Sequence, residues 1–277
     1  MDIVYKLLSD DAPIRQGDII KKKSRAGNTF GLIITADCDI AKRKHGNHYT
    51  WIEILPAKNY IESKWALEEI EKTKKKQSTA ILEFVNKTLK AKGFSNLTEK
   101  ILINWLVEVG VERFISKLSI GDCPEEIKNK IIGLHAISNQ SNISPLEKIR
   151  FAAPLFKINI ENLIEGARKH LVKGDDGFPD FFFLPSLPEE LGGGCVALLR
   201  HIYSVQDEEI YTCEANAKID DKPNSFYRLC RLSDRVKYSV VQKTTFLFSR
   251  IGMTSEFESL TATSAEQSAN NIFEGNV

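Results

Sequence analysis

The sequence predicts an α+β protein: a small β barrel interrupted by a helical insertion and closed by a C-terminal helix. Three observations predict it. Short β-branched runs punctuated by Gly-Asn turns occupy the first 57 residues. Apolar residues at helical spacing fill the middle. Strand-like runs then return after residue 180. The expected division is a discontinuous β domain (1–57 and 174–253), a helical domain (58–173) and a mobile acidic tail (254–277). Two separate β units flanking a helical linker is the other arrangement the pattern allows.

The elements follow in order. Gly17-Asp18-Ile19-Ile20 opens a first strand, and Gly27-Asn28 signals a turn. Thr29 to Ala36 reads as a central strand, and Tyr49 to Leu55 as a third, stopped by Pro56. Helices are expected over 60–76, over 78–92 with Gly93 as terminator, and from Thr98 as an N-cap. Pro124-Glu125-Glu126 has the composition of a first helical turn. A further helical pattern covers 145–172, with an interruption at Pro154. Strands are predicted at 180–184, 195–205, 209–213 and 225–232, and a closing helix from Ser233 to Ile251.

Composition excludes several classes. The formal net charge of +1 gives no bulk electrostatic preference for a partner. Charge is nonetheless uneven: residues 1–92 carry 18 Lys and Arg against 12 Asp and Glu, so the basic residues worth examining lie there. Five widely spaced cysteines without a CxxC pair argue against a disulfide framework or zinc ribbon. The first residues lack the order of a signal peptide, and no apolar run approaches the ~20 residues needed to span a bilayer. A cytoplasmic protein with no membrane contact is expected.

The leading candidate site is Asp37-Cys38-Asp39, where an apolar run ends in two carboxylates flanking a thiol. In an extended chain, alternation places Asp37 and Asp39 on one face and Cys38 on the other. Paired carboxylates can bind a divalent cation or divide acid and base roles. A thiol is a nucleophile when a base lowers its pKa. The competing structural interpretation has the carboxylates accepting hydrogen bonds from turn amides.

A candidate binding surface is drawn from Lys21, Lys22, Lys23 and Arg25, from Lys42, Arg43 and Lys44, and from His45, His48 and Trp51. If the two basic clusters converge, they can hold a nucleic-acid backbone while aromatics stack bases. His45 and His48 with Asp39 are metal-ligating types, but a hairpin turn does not preorganise them, and no metal or cofactor is predicted.

Gln16-Gly17-Asp18-Ile19, then Thr35-Ala36-Asp37-Cys38-Asp39-Ile40, and late in the chain Phe248-Ser249-Arg250-Ile251-Gly252 resemble a signature of poorly characterised bacterial proteins found near phage-defence genes. The N-terminal third also resembles MazF/PemK-type toxin ribonucleases in its Gly-Asp before the first strand and Pro after the third. It lacks their Arg-Pro, having Thr29-Phe30 there instead. The resemblance implies an SH3-like barrel. With no recognisable catalytic set, it implies a non-catalytic regulatory or adaptor subunit of a defence or toxin-control system, partnered by a protein encoded in the same operon. The alternative is a metal-assisted nuclease or other hydrolase using Asp37 and Asp39 beside a basic surface.

Overall fold

The computed structural model describes residues 3–24, 27–118, 123–172, 180–188, 191, 194–220, 222, 225–249, 256, 259–265 and 267. Strands from both ends of the sequence build one curled, half-barrel sheet. These are β1 (Tyr5–Lys6), β2 (Asp18–Ser24), β3 (Gly27–Ile33), β4 (His48–Pro56), β5 (Phe181–Leu184), β6 (Cys195–Gln206), β7 (Ile210–Tyr211) and β8 (Phe226–Leu232). The order is β1-β8-β2-β3-β4-β6-β5, with β7 on β8. Every pairing is antiparallel except β7–β8. Strand β8 sits beside β2, so the end of the chain completes a sheet that its beginning opened.

The strand residues alternate between two apolar layers. Ile19, Phe30, Leu32, Ile52 and Ile54 point to one, closed by α10 (Asp234–Phe248) through Val240 and Leu247. Ile20, Ile33, Tyr49 and Trp51 point to the other. This two-residue period explains why the runs are apolar throughout rather than alternating with polar residues: both faces are covered. Gly31 lies where the Trp51 ring presses on β3, and a Cβ there would fall 2.4 Å from Trp51 Cε3.

Between β4 and β5 in the chain, the elements among the described residues are all helical. They are α2 (Ala57–Tyr60), α3 (Ala66–Ala91), α4 (Glu99–Val109), α5 (Val111–Lys117), α6 (Glu125–Ser138), α7 (Pro145–Leu155) and α8 (Ile160–Val172). They have their own core, centred on Ile81, Val85, Leu102, Leu106, Phe114 and Ile131. Sequence signals set several of their ends. Thr98 caps α4 by accepting from Ile101 N–H, and Ser144 and Glu147 make a reciprocal capping box on α7. Pro154 sits in the last turn of α7, and α8 restarts five residues after it ends. Two expected helices, 60–76 and 78–92, are instead one run. Strand β4 passes straight into α2 at Pro56–Ala57, and a π-helical turn (Ile61–Trp65) joins α2 to α3. The two bodies meet around Tyr60, whose hydroxyl is hydrogen-bonded to His170 Nε2 at 3.0 Å and whose ring packs on Phe181.

Strand β1 was not expected from the sequence, and the segment after Ile33 is not the continued strand expected to Ala36. Most of the predicted mobile tail lies outside the described residues, although 259–265 are helical. Gly31→Ala is expected to destabilise the sheet by about 1–3 kcal/mol through overpacking. Urea denaturation should show a lower midpoint with an unchanged slope.

Candidate functional site

After Ile33 the chain is pinned to β4. Ile34 N–H donates to the Thr50 carbonyl at 2.9 Å, and Thr50 N–H donates to Thr35 Oγ1 at 2.7 Å. The chain then turns into a one-turn helix, α1 (Asp37–Ala41), which follows extended Ala36. The alternation argument for Asp37 and Asp39 therefore fails. In a helix, residues two apart point about 200° apart rather than to one side, so the two carboxylates do not form a pair.

Asp37 is 36% exposed at its side chain, but both carboxylate oxygens are engaged. Its Oδ1 accepts from Gln16 N–H at 3.0 Å, and its Oδ2 accepts from Lys237 Nζ at 3.0 Å. Lys237 comes from α10, and its side chain is only 5% exposed. It also reaches Asp234 at 3.1 Å. Burial works against the charge on Lys237, but hydrogen bonds and attraction from Asp37 and Asp234 outweigh it and hold the pKa above the ordinary lysine range. Reciprocally, Lys237 holds the exposed Asp234 carboxyl below its usual range.

The Gln16-Gly17-Asp18 triplet is built around this contact. Gln16 Nε2 donates to the Ile34 carbonyl at 2.9 Å, fixing the strand end. Gly17 has φ +90, and a Cβ there would lie 2.7 Å from Lys237 Cδ, so the glycine admits both the turn and the lysine stem. Asp18 is fully buried. It takes two bonds from Arg231 (2.5 and 3.0 Å) and one from Arg15 N–H (2.8 Å), with Arg228 at 3.8 Å. Burial raises the Asp18 pKa against these opposing contacts. Arg228 in turn donates to the carbonyls of Ser9 and Ala12, anchoring the N-terminal segment.

Cys38 is exposed, and its Sγ lies 3.6 Å from Asp39 Oδ1. Its side-chain partner is thus a carboxylate rather than the imidazole of a cysteine–histidine pair. The remaining carboxylate of the candidate set, Asp39, is half-buried.

The histidines stand apart from that carboxylate. His45 Nδ1–H points at the Asp39 carbonyl oxygen (3.4 Å), its ring stacks on Tyr49, and buried Nε2 lies 3.9 Å from Asp207 Oδ2. Burial, then the neighbouring Asp207, pushes the Tyr49 hydroxyl up to about 12. His48 is exposed and folds onto the Gly46 carbonyl at 2.9 Å. Beside it is an open polar cleft of about 720 Å³ lined by Asn47, Gln206, Asp207 and Glu208. Among the described residues, no group of three or more His, Cys, Asp or Glu is placed to hold a metal ion.

The basic clusters lie at opposite ends of the β2–β3 hairpin. Lys22 and Lys23 pair with Thr29 and Asn28 near its turn, whereas exposed Lys42, Arg43 and Lys44 follow the far end of β3. Lys21 lies over Phe30 and Tyr227, and Lys22 over Phe226. Arg25 lies outside the described residues. Trp51 is a core residue, stacked on Tyr203 at 4.7 Å and 6% exposed, so it offers no open face to a base. Among the described residues, no helix is long and apolar enough to cross a membrane.

Sequence reasoning missed Lys237 and the arginines of β8. Lys237 did leave a signal: with Val240, Thr244 and Leu247 it forms the buried stripe of α10, where a lysine needs a partner. No family model matches the chain, and neither a curated protein nor a solved structure is significantly similar to it.

Lys237→Met removes the cation from between two partly exposed carboxylates and is expected to cost about 1–3 kcal/mol. The pKa of Lys237 is raised on folding, so its contribution is complete below the unfolded lysine pKa and is lost as pH rises through the folded value. The Tm advantage of the parent over Lys237→Met should hold across neutral pH and shrink above about pH 10.5. For the thiols, burial pushes Cys195 and Cys230 up to about 12. Native alkylation followed by mass spectrometry should therefore modify Cys38 well before either.

Proposed function

We propose that the chain is a non-catalytic regulatory or adaptor module that acts through protein–protein contacts in a bacterial defence or toxin-control system. The observation that carries this reading is the engagement of Asp37. The best-placed carboxylate of the candidate site is used by Lys237 and the Gln16 amide to join α1, the turn before β2, and α10. The Gln16-Gly17-Asp18 and Thr35-to-Ile40 segments, which carry the resemblance to defence-associated proteins, are accounted for by structural contacts among themselves and with the C-terminal part of the chain. A segment that specifies a scaffold in this way does not need a reaction to explain it. The half-barrel is read as an SH3-like unit carrying residues 58–173 as an insertion, and the partner as a protein encoded in the same operon of a cytoplasmic system.

A nuclease would require Asp37 to exchange Lys237 for a cation and to act with Asp39, which projects elsewhere from α1. Two measurements test the choice. Co-expression with the products of adjacent genes should give a complex of fixed stoichiometry by size-exclusion chromatography. Purified protein with Mg²⁺ or Mn²⁺ should leave RNA and DNA intact. Cleavage by the parent that disappears in Asp37→Asn/Asp39→Asn would replace the adaptor reading with the hydrolytic one. A parent chain that binds no neighbour product would remove it.

A further inference from the structure

Helix α8 carries a complete apolar stripe, Ile160, Leu163, Ile164 and Ala167, at the spacing that lines one helix face. Only part of it is covered. Leu163 is buried in the helical core, while Ile160 is 45% and Ile164 63% exposed. They line a trough of about 260 Å³ with Ile61 and Trp65 from the π-helical turn and with Leu146 and Ile149 from α7. Such a turn inserts an extra residue into a helix and is frequent at functional sites. Here it supplies both residues of the trough's third wall.

The charged side chain at this trough is Arg150, which is exposed and makes no hydrogen bond or ion pair with any described residue. Trp65 is shared with a neighbouring cleft bordered by Lys72, Arg168 and Lys169. Lys72 pairs with half-buried Glu69 at 3.9 Å, while Arg168 makes a bidentate pair with Glu165 that Lys169 also approaches, so the three cations outnumber the two glutamates they meet. The trough thus has Arg150 in its lining and, beside it at Trp65, a cleft in which Lys72, Arg168 and Lys169 outnumber Glu69. Its volume is below the ~300–1,000 Å³ usual for small-molecule pockets, and it is open rather than enclosing. A helix laid in a groove by anchors one turn apart needs only such a trough.

We propose that this face is the docking site for an acidic amphipathic helix of a protein partner. Two aliphatic side chains one turn apart fill the trough against Ile160, Ile164 and Trp65. Carboxylates on the flanks of the same helix meet Arg150 at the trough and Lys72, Arg168 and Lys169 at the cleft beside it. The proposal rests on the adaptor reading and gives it a surface and a partner chemistry.

The test uses the full chain and three fluorescein-labelled helical peptides, read by anisotropy. One has leucines at i and i+4 with flanking glutamates. The second has lysines for the glutamates, and the third has serines for the leucines. The glutamate peptide should bind at least about tenfold more tightly than either of the others, and its affinity should fall as salt is raised. Ile164→Asp should weaken that binding by at least about tenfold. Arg150→Glu should narrow or reverse the preference for glutamate over lysine. Both residues are exposed, so unchanged circular dichroism should accompany these losses. Equal binding of the acidic and basic peptides, or binding indifferent to Ile164→Asp, would overturn the assignment. So would a dimer of the parent chain that Ile164→Asp converts to monomer, because a second copy would then cover the face. A neighbour-encoded partner that remains bound to both variants would defeat this site and leave the adaptor reading standing. A parent chain that binds no neighbour product defeats that reading before any variant is made.

Discussion

One ammonium group joins parts of the chain that are 200 residues apart. Lys237 Nζ lies under the end of β3, between Asp37 and Asp234, with its methylene stem against Gly17. Removing a lysine from water is costly, and it is tolerated where the charge is matched and its hydrogen bonds are made. Both conditions are met only when α10 is seated on the sheet and the strand has turned into α1. The contact therefore selects one arrangement of the chain ends. Asp18, opposite Arg231 across β2 and β8, imposes the same requirement one strand pair away. Together they make the seam between the first and last parts of the sequence polar and specific, where an apolar seam would accept a shifted register.

Much of the fold was legible because hydrophobic period and turn chemistry agree locally. Strand β4 joins an apolar run to a stop at Pro56, and helices α3, α4 and α6 join helical spacing to an end signal at Gly93, Thr98 or Pro124. The failures were of a different kind. Strand β1 is two residues long, too short for any period to register. Helix α1 has Ala36 at its N-cap position without a side-chain cap, so nothing in the sequence announced a helix there. The point matters chemically, because the alternation argument assumed an extended chain through Asp37 and Asp39, and residues two apart on a helix point to different sides. The candidate site was legible as a concentration of reactive residue types, and Asp37 does occupy a special position. What occupies it with Asp37 was not legible, because Lys237 reaches it through the docking of α10, 200 residues further along the chain.

A separate helical core explains how the chain holds so many helices between two strands of one sheet. The helical core around Ile81, Leu102 and Phe114 does not borrow residues from the sheet layers. The bodies instead share a small junction of Tyr60, Val196 and Leu198, with Leu171, Phe181 and Phe183 against it. Burial pushes the Tyr60 hydroxyl up to about 12, so it stays a neutral partner for His170 at physiological pH.

The direct passage of β4 into α2 has a mechanical consequence. At Pro56–Ala57 there is no loop to absorb a displacement, because the last strand residue is followed at once by the first helical one. A load applied to the helices is therefore delivered along a continuous spindle to a strand bonded on both sides, to β3 and to β6. Along that path the α-helical bonding pattern changes to π-helical at Ile61–Trp65, within the helical core. Pulling or twisting one body therefore loads the ladders of β4 with β3 and β6 directly.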